Sequence, residues 1–253
     1  MAGVILDAGH GGYDNGAQYN GRKEKDDNLR LTLEVGKILE ENGIPVSYTR
    51  QSDIYQSPSE KARLGNESGA NYFISFHRNA SPNENEYQGV ETLVFDDDGI
   101  KAEMARNVNA RLEEVGFRNI GVKERPNLTV LRRTKMPAIL IEAGFLNSDA
   151  DNERFDEKFQ EIAQAISDGI LQTIGDEKEA LQGIYRVQIG LYRNFSNAQY
   201  ALNRAVSDGY EGDIVYEEPY YAVQIGEYNM LDEAVQLENE LKQKGYDTLV
   251  IKK

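Results

Sequence analysis

VILDAGHGG, residues 4–12, is the stretch from which the rest of the chain is read. A short apolar run ends in an aspartate, a glycine-rich loop and a histidine. A run of that length and composition predicts a buried strand, with the loop leaving it at a sheet edge. Two later stretches follow the same plan, FISFHRNA at 73–80 and AILIEAGFLN at 138–147, and a charged segment, GRKEKDDNL at 21–29, lies between the first two. The chain has only two histidines, His10 and His77, each just after a β-type run. Glu24 lies in the charged segment, and Glu142 ends the last apolar run.

Outward from these stretches, strands and helices alternate. GVILD at 3–7 reads as a strand, Asp26 to Asn42 as a helix with Leu29, Leu33 and Leu39 among its apolar positions, and Gly43 as the stop. IPVSYT at 44–49 reads as a strand, and Pro58 as the first turn of a helix. NYFISF at 71–76 and GVETLVF at 89–95 are further strands, and residues 100–115 fit a helix with Met104, Val108 and Leu112 at four-residue steps. LTVLR at 128–132 and AILIEA at 138–143 are read as strands. Phe155, Phe159, Ile162, Ile166 and Ile170 fall on one face of a single expected helix. The alternation implies an α/β domain over residues 1–174, a twisted sheet with helices on both faces.

Residues 175–182 are charged, break the pattern and are expected to form a linker. An ungapped internal repeat follows over 183–253. YRVQIGLY at 185–192 returns as YAVQIGEY at 221–228, 36 residues later, and Gly209-Tyr210 returns as Gly245-Tyr246. Each unit reads as strand, helix, strand, so the pair predicts a small α+β domain of βαβ-βαβ form with one helical and one open sheet face.

A formal net charge of −15 argues against a nucleic-acid partner, which needs a basic footprint, and against docking on an anionic membrane. With no cysteine there is neither a disulfide nor a thiolate metal site. No stretch reaches the roughly 20 apolar residues of a membrane span, and MAGVILDAGH lacks the features of a signal peptide. The expectation is synthesis in the cytoplasm with delivery by lysis, or secretion from a form whose signal has been trimmed. The glycines at 9, 11 and 12 lack the spacing and the G-K-[ST] ending of a phosphate loop.

Two imidazoles, a carboxylate and a spare carboxylate make a workable zinc hydrolase set. The four stretches carry D-x-G-H-G-G, G-x-x-E-K, S-x-H-x-N and E-x-G-F in that order, over about the first two-thirds of the chain. This resembles the zinc-dependent N-acetylmuramoyl-L-alanine amidases, the amidase type 3 family. The resemblance implies that His10, Glu24 and His77 hold Zn2+. It implies that Glu142 serves as general base and then general acid while a zinc-activated water cuts the amide between N-acetylmuramic acid and L-alanine. Asp7 and Asn79 flank the histidines and either orient the imidazoles or cap strands. Two residues depart from the family pattern. Ala8 replaces the usual proline, and Arg78 replaces a small residue, which would put a large cation near the metal where it could meet a stem-peptide carboxylate.

The repeat is similar to the sporulation-related repeat, or SPOR, domain, which implies binding to peptidoglycan glycan strands that have lost their stem peptides. Tyr192, Tyr221 and Tyr228 are expected in its core. Gln188 and Gln224 alternate with valine and isoleucine and are expected on the open face as glycan contacts. The whole layout is similar to the mother-cell lysis amidases of spore-forming bacteria, and some phage endolysins share the catalytic part. Three rival readings differ in class: a stem-peptide peptidase on the same scaffold, a non-catalytic wall-binding adaptor, and an RNA-recognition domain in the repeat. The complete His10, Glu24, His77 and Glu142 set opposes the adaptor, and the acidic chain opposes RNA.

Overall fold

The computed structural model describes residues 3–180 and 182–253. By its internal packing the chain divides into two compact units, Met1–Gly175 and Asp176–Lys253.

In the first unit, β1 (Val4–Ala8) is followed by a small hairpin of β2 (Gln18–Tyr19) and β3 (Arg22–Lys23), then α1 (Glu24–Glu41) and β4 (Val46–Tyr48). Next come α2 (Pro58–Glu67), started by Pro58 and capped by Ser57, whose hydroxyl accepts from Glu60 N, and then β5 (Tyr72–Asn79) and β6 (Val90–Val94). The chain continues through α3 (Gly99–Glu114), β7 (Asn119–Glu124), α4 (Thr129–Arg133), β8 (Ala138–Phe145), α5 (Asp149–Glu157) and α6 (Phe159–Ala180). The six main strands lie in the order β4-β1-β5-β8-β6-β7. Strands β4, β1, β5 and β8 run parallel, and β6 turns antiparallel to β8.

Strand alternation divides the core. Val4, Leu6, Ile74, Phe76, Ile139 and Ile141 pack on one face with Leu31, Val35, Met104, Val108, Phe155 and Ile166 from α1, α3, α5 and α6. Ile5, Phe73 and Leu140 point to the other face, where Val130 and Leu131 of α4 join them. Helices therefore cover both faces, as the alternation of elements implied.

Three local readings are corrected. Residues 128–132 are not a strand: Arg132 N donates to Leu128 O, closing the helical turn that seats Val130 and Leu131. An apolar run of five residues carries no period long enough to decide between helix and strand. The helix expected across Phe155 to Ile170 is two helices that break at Lys158, with Phe155 and Phe159 in edge-to-face contact at 5.6 Å across the break. The expected linker is helical through Ala180, as the end of α6, while Leu181 lies outside the described residues. The edge strand β7 carries little apolar signal, and its sequence gave no cue.

The second unit is β9 (Gln182–Tyr192), α7 (Phe195–Ser207), β10 (Gly212–Glu217), β11 (Tyr220–Met230), α8 (Leu231–Gln243) and β12 (Leu249–Lys252), so each repeat is strand, helix, strand. The antiparallel sheet has the order β10-β11-β9-β12. Val187, Ile189, Val223 and Ile225 meet Ala198, Leu237 and Leu241 under the two helices. The small side chains of Ala198 and Ala234, both fully buried, let α7 and α8 lie close to the sheet. Tyr192, Tyr221 and Tyr228 pack against this core.

Candidate metal centre and its cleft

The parallel strands β1, β5 and β8 bring three of the four stretches to one sheet edge, where α/β folds build their sites. His10 follows β1 directly. His77 and Glu142 are register partners on β5 and β8. Both lie inside their strands rather than beyond them, and both point to the face that holds Ile5, Phe73 and Leu140. Glu24 is not in a loop, as its charged surroundings suggested, but is the first residue of α1. A carboxylate there is favoured by the partial positive charge of the helix start.

His10, Glu24 and His77 each offer a ligand atom within 4.8 Å of the others. Glu24 Oε2 lies 3.1 Å from His10 Nε2, and Oε1 lies 2.9 Å from His77 Nδ1. Backbone N–H groups of Ala17 and Arg78, together with Asn28 Nδ2, donate to the same carboxylate and fix its plane. Burial opposes its ionisation, but the hydrogen bonds with His10 and His77 outweigh burial and hold the carboxyl below the usual range. The imidazoles need space. A Cβ on Gly9 would sit 2.4 Å from the His77 ring, and one on Gly16 would sit 2.6 Å from the His10 ring. His10 itself has φ +59, a left-handed conformation uncommon for a side-chain-bearing residue and typical of strain held at working sites. Asp14, in the same tight loop, holds His10 Nδ1 at 2.9 Å.

Glu142 Oε2 is buried without a hydrogen-bond partner among the described residues. Burial pushes its carboxyl up to about 7, opposed by His77 and reinforced by Glu24 and Glu91. A carboxylate with one buried, unpartnered oxygen beside a cluster that could hold a metal can exchange a proton near neutral pH. A cleft of about 250 Å3 opens over the cluster, lined by His10, His77 and Asp14, by Gln56 and Lys61 from the α2 side, and by Asn127 to Val130 around the start of α4. The run misread as a strand is thus a wall of the cleft.

The flanking residues do other work than expected. Asp7 makes no hydrogen bond to either imidazole among the described residues. It accepts from Thr49 Oγ1, Lys61 Nζ and Ser75 Oγ at 2.6–2.7 Å, fully inside the protein. Asn79 donates to Glu91 Oε1 at 2.8 Å, and Glu91 is the register partner of Glu142, so Asn79 stands one carboxylate away from Glu142. Arg78 is not a cation beside the metal. It follows His77 on a strand, so its side chain takes the opposite face, 2 % exposed. There it pairs with Asp27 at 2.7 Å, donates to Asn152 Oδ1 and stacks on Phe155. Asp14, Asn28, Glu91 and Lys61 were not singled out from sequence. Only Asn28 carries a readable signal, its four-residue step from Glu24 on a helix.

In the repeat unit, Gln224 does not decorate an open face. It is fully buried, and its Nε2 donates to Glu217 Oε1. Arg186 crosses β11 from β9 to reach Asp213 on β10, the register partner of Gln224, which lays the arginine over that glutamine. Gln188 remains half-buried.

The N-acetylmuramoyl-L-alanine amidase family profile matches residues 4–172, and the SPOR domain profile matches residues 181–252. The sporulation-specific N-acetylmuramoyl-L-alanine amidase of Bacillus subtilis is 32% identical over 224 residues, spanning 86% of this chain and 86% of that protein. An endolysin of a Bacillus phage is 33% identical over 184 residues, spanning 70% and 68%. The crystal structure of the N-acetylmuramoyl-L-alanine amidase from Clostridium difficile covers 70% of this chain and 98% of its own, with a TM-score of 0.66 and 34% identity. No helix among the described residues is long and apolar enough to cross a membrane.

Proposed function

Because the chain belongs to the N-acetylmuramoyl-L-alanine amidase family, and so hydrolyses the amide between N-acetylmuramic acid and L-alanine in peptidoglycan, we propose that His10, Glu24 and His77 hold Zn2+ for this reaction and that Glu142 moves its proton. The convergence of two imidazoles and one ionised carboxylate within 4.8 Å carries the reading. That donor set suits zinc and leaves a position open. Zinc, when bound, supplies Lewis acidity to the amide carbonyl and to a water.

The protein's own groups do the rest. Asp14 fixes the ring of His10, and Asn28 with two backbone N–H groups fixes Glu24, so both donors meet the cation already oriented. Glu142 Oε2 has no hydrogen-bond partner among the described residues to surrender. Set by β8 next to His77, the carboxylate takes a proton from the attacking water and returns it to the departing alanine amine. The cleft walls around Leu128 and Val130 exclude water from one side of the scissile bond.

The C-terminal unit, a SPOR domain, binds peptidoglycan. Its finer ligand is the glycan strand stripped of stem peptides, which is what the first unit produces. Holding that product would keep the enzyme beside fresh cuts and raise its local concentration. The relatives named as sporulation-specific and as endolysin support action on the wall of a cell undergoing lysis.

The test is zinc content and wall digestion, measured before and after chelation. The protein should carry about one zinc per chain, lose activity on chelation and regain it with added zinc. Its digests should contain intact glycan and peptides with N-terminal alanine. His77→Ala should lose zinc and activity together. Peptides cut internally would replace this reading with a stem-peptide peptidase, and a His77→Ala chain with full zinc would overturn the ligand set.

A further inference from the structure

Beside the metal cluster stands a feature that neither the chemistry nor the packing uses. Tyr13 and Tyr55 stack face to face, with ring centroids 4.2 Å apart and 26° between planes, yet Tyr13 is 79 % exposed and Tyr55 40 %. Ile54, between Asp53 and Tyr55, is also exposed. Stacked tyrosines in a core satisfy packing, but these two leave apolar ring surface in water, which costs free energy unless something covers it.

Their position is fixed from both sides. Tyr13 lies between Gly12 and Asp14 in a tight turn closed by Gly11 N to Asp14 O and Asp14 N to Gly11 O. Asp53 Oδ1 accepts from Gly12 N at 2.7 Å. Lys25 Nζ donates both to Gly12 O at 2.7 Å and to Asp53 Oδ2 at 2.6 Å. The loop carrying Tyr13 is therefore tied to the loop carrying Tyr55 through the residue next to Glu24. Each tyrosine also adjoins a residue that lines the cleft, Asp14 in one case and Gln56 in the other. The pair is held next to cleft-lining residues by the framework that carries His10.

The substrate bears a neutral pyranose ring on one side of the scissile amide and a peptide on the other. A flat, rigid, uncharged aromatic surface suits the apolar face of a sugar ring and offers a stem-peptide carboxylate nothing. Resting on the amidase reading above, we propose that Tyr13 and Tyr55 form a stacking platform for a sugar ring of the glycan strand, positioning the muramoyl amide over the metal cluster. The platform is a binding device and takes no part in the proton transfers, so it acts on substrate affinity.

The experiment uses the full chain and a soluble tetrasaccharide carrying its tetrapeptides. KM and kcat are measured together with bound zinc for Tyr13→Leu, Tyr55→Leu and Tyr55→Trp. The leucine variants keep apolar bulk in the loops but remove the ring face. They should raise KM roughly five- to tenfold with kcat within about twofold and zinc retained, whereas Tyr55→Trp should keep KM near the parent value. Unchanged KM in both leucine variants overturns the platform. So does a loss of zinc or a fall in kcat at constant KM, because either makes the pair a brace for the His10 loop. A parent chain that releases no peptide from this substrate overturns the amidase reading and the platform with it, whereas an active parent with unaltered variants overturns the platform alone.

Discussion

In the first unit Asp7 lies 1 % exposed between Lys61, Thr49 and Ser75, Glu24 sits between two imidazoles, and Glu142 has a carboxylate oxygen with no partner among the described residues. In the repeat unit the main ionic cluster is Arg186 with Asp213 and Glu227, and both carboxylates are mostly exposed to water. One unit buries charge at the ends of its central strands, while the other keeps charge on the surface and builds an apolar core by using the same strand and helix twice. Burying charge is costly unless each group is paired and hydrogen-bonded. The contrast marks where the protein accepts that cost. It does so around the His10, Glu24 and His77 cluster, and the surface of the repeat can be altered with little consequence for its fold.

The largest test of this contrast is Glu142→Gln. Turnover should fall about a hundredfold or more while zinc stays bound, since amide and carboxylate are nearly the same shape and only the proton carrier is lost. The same change should alter stability in the chelated protein. The folded-state value of about 7 lies above the ordinary 4.5, so the stability this group contributes is complete below the lower value and is lost as pH rises toward the higher one. The loss is about 3 kcal/mol across that window. Urea unfolding of the chelated chain at pH 5 and pH 7.5 should show the decline in the parent and a flatter profile in Glu142→Gln. A variant that loses zinc would make Glu142 a ligand.

Asp7→Ala comes next. It strands Lys61, 4 % exposed, without its buried partner and should destabilise the first unit by about 3–5 kcal/mol in chemical denaturation. Replacing both members with apolar residues, Asp7→Leu with Lys61→Met, should recover much of that loss. If the single variant is as stable as the parent, the pair carries no structural weight and its cleft-facing lysine must be reconsidered as a substrate contact.

The smallest effect belongs to the repeat. Arg186→Ala should change stability by no more than about 1 kcal/mol, because its partners are solvated and screened. It should also expose Gln224. Retention of the full chain on wall treated with amidase, compared with untreated wall, then separates a glycan role for the covered glutamine from a purely structural one. Increased retention by Arg186→Ala would show that the arginine masks a glycan contact, and unchanged retention would remove Gln224 from the binding surface.

Much of this was legible in the residues. Most of the alternation of strands and helices follows from apolar period and from the end signals at Pro58 and Gly43, whereas α4 and β7 do not. The duplicated YxVQIGxY strand announces two equivalent halves, and their buried Val187, Ile189, Val223 and Ile225 follow from alternation within each strand. The two histidines point to the metal cluster through the resemblance, because both fall inside stretches that match the amidase pattern, DAGHGG and FHRNA. Alternation could also have predicted the burial of Arg78, because His77 and Arg78 are neighbours on one strand and cannot face the same way.

Sequence alone determined the main alternation of strands and helices, apart from α4, β7 and the break between α5 and α6, together with the repeat and the residue types available for zinc, since these depend on local periodicity and composition. Tertiary structure decided which polar groups meet. Separations of 14 and 53 residues between His10, Glu24 and His77 become contacts of about 3 Å only when β1, β5 and the first turn of α1 converge at one sheet edge. Asp7 belongs to Lys61 and not to a histidine because strand register, which no local pattern encodes, sets Thr49, Lys61 and Ser75 around it. Partner choice among buried charges is a matter of distance and desolvation, and both exist only once the chain has folded.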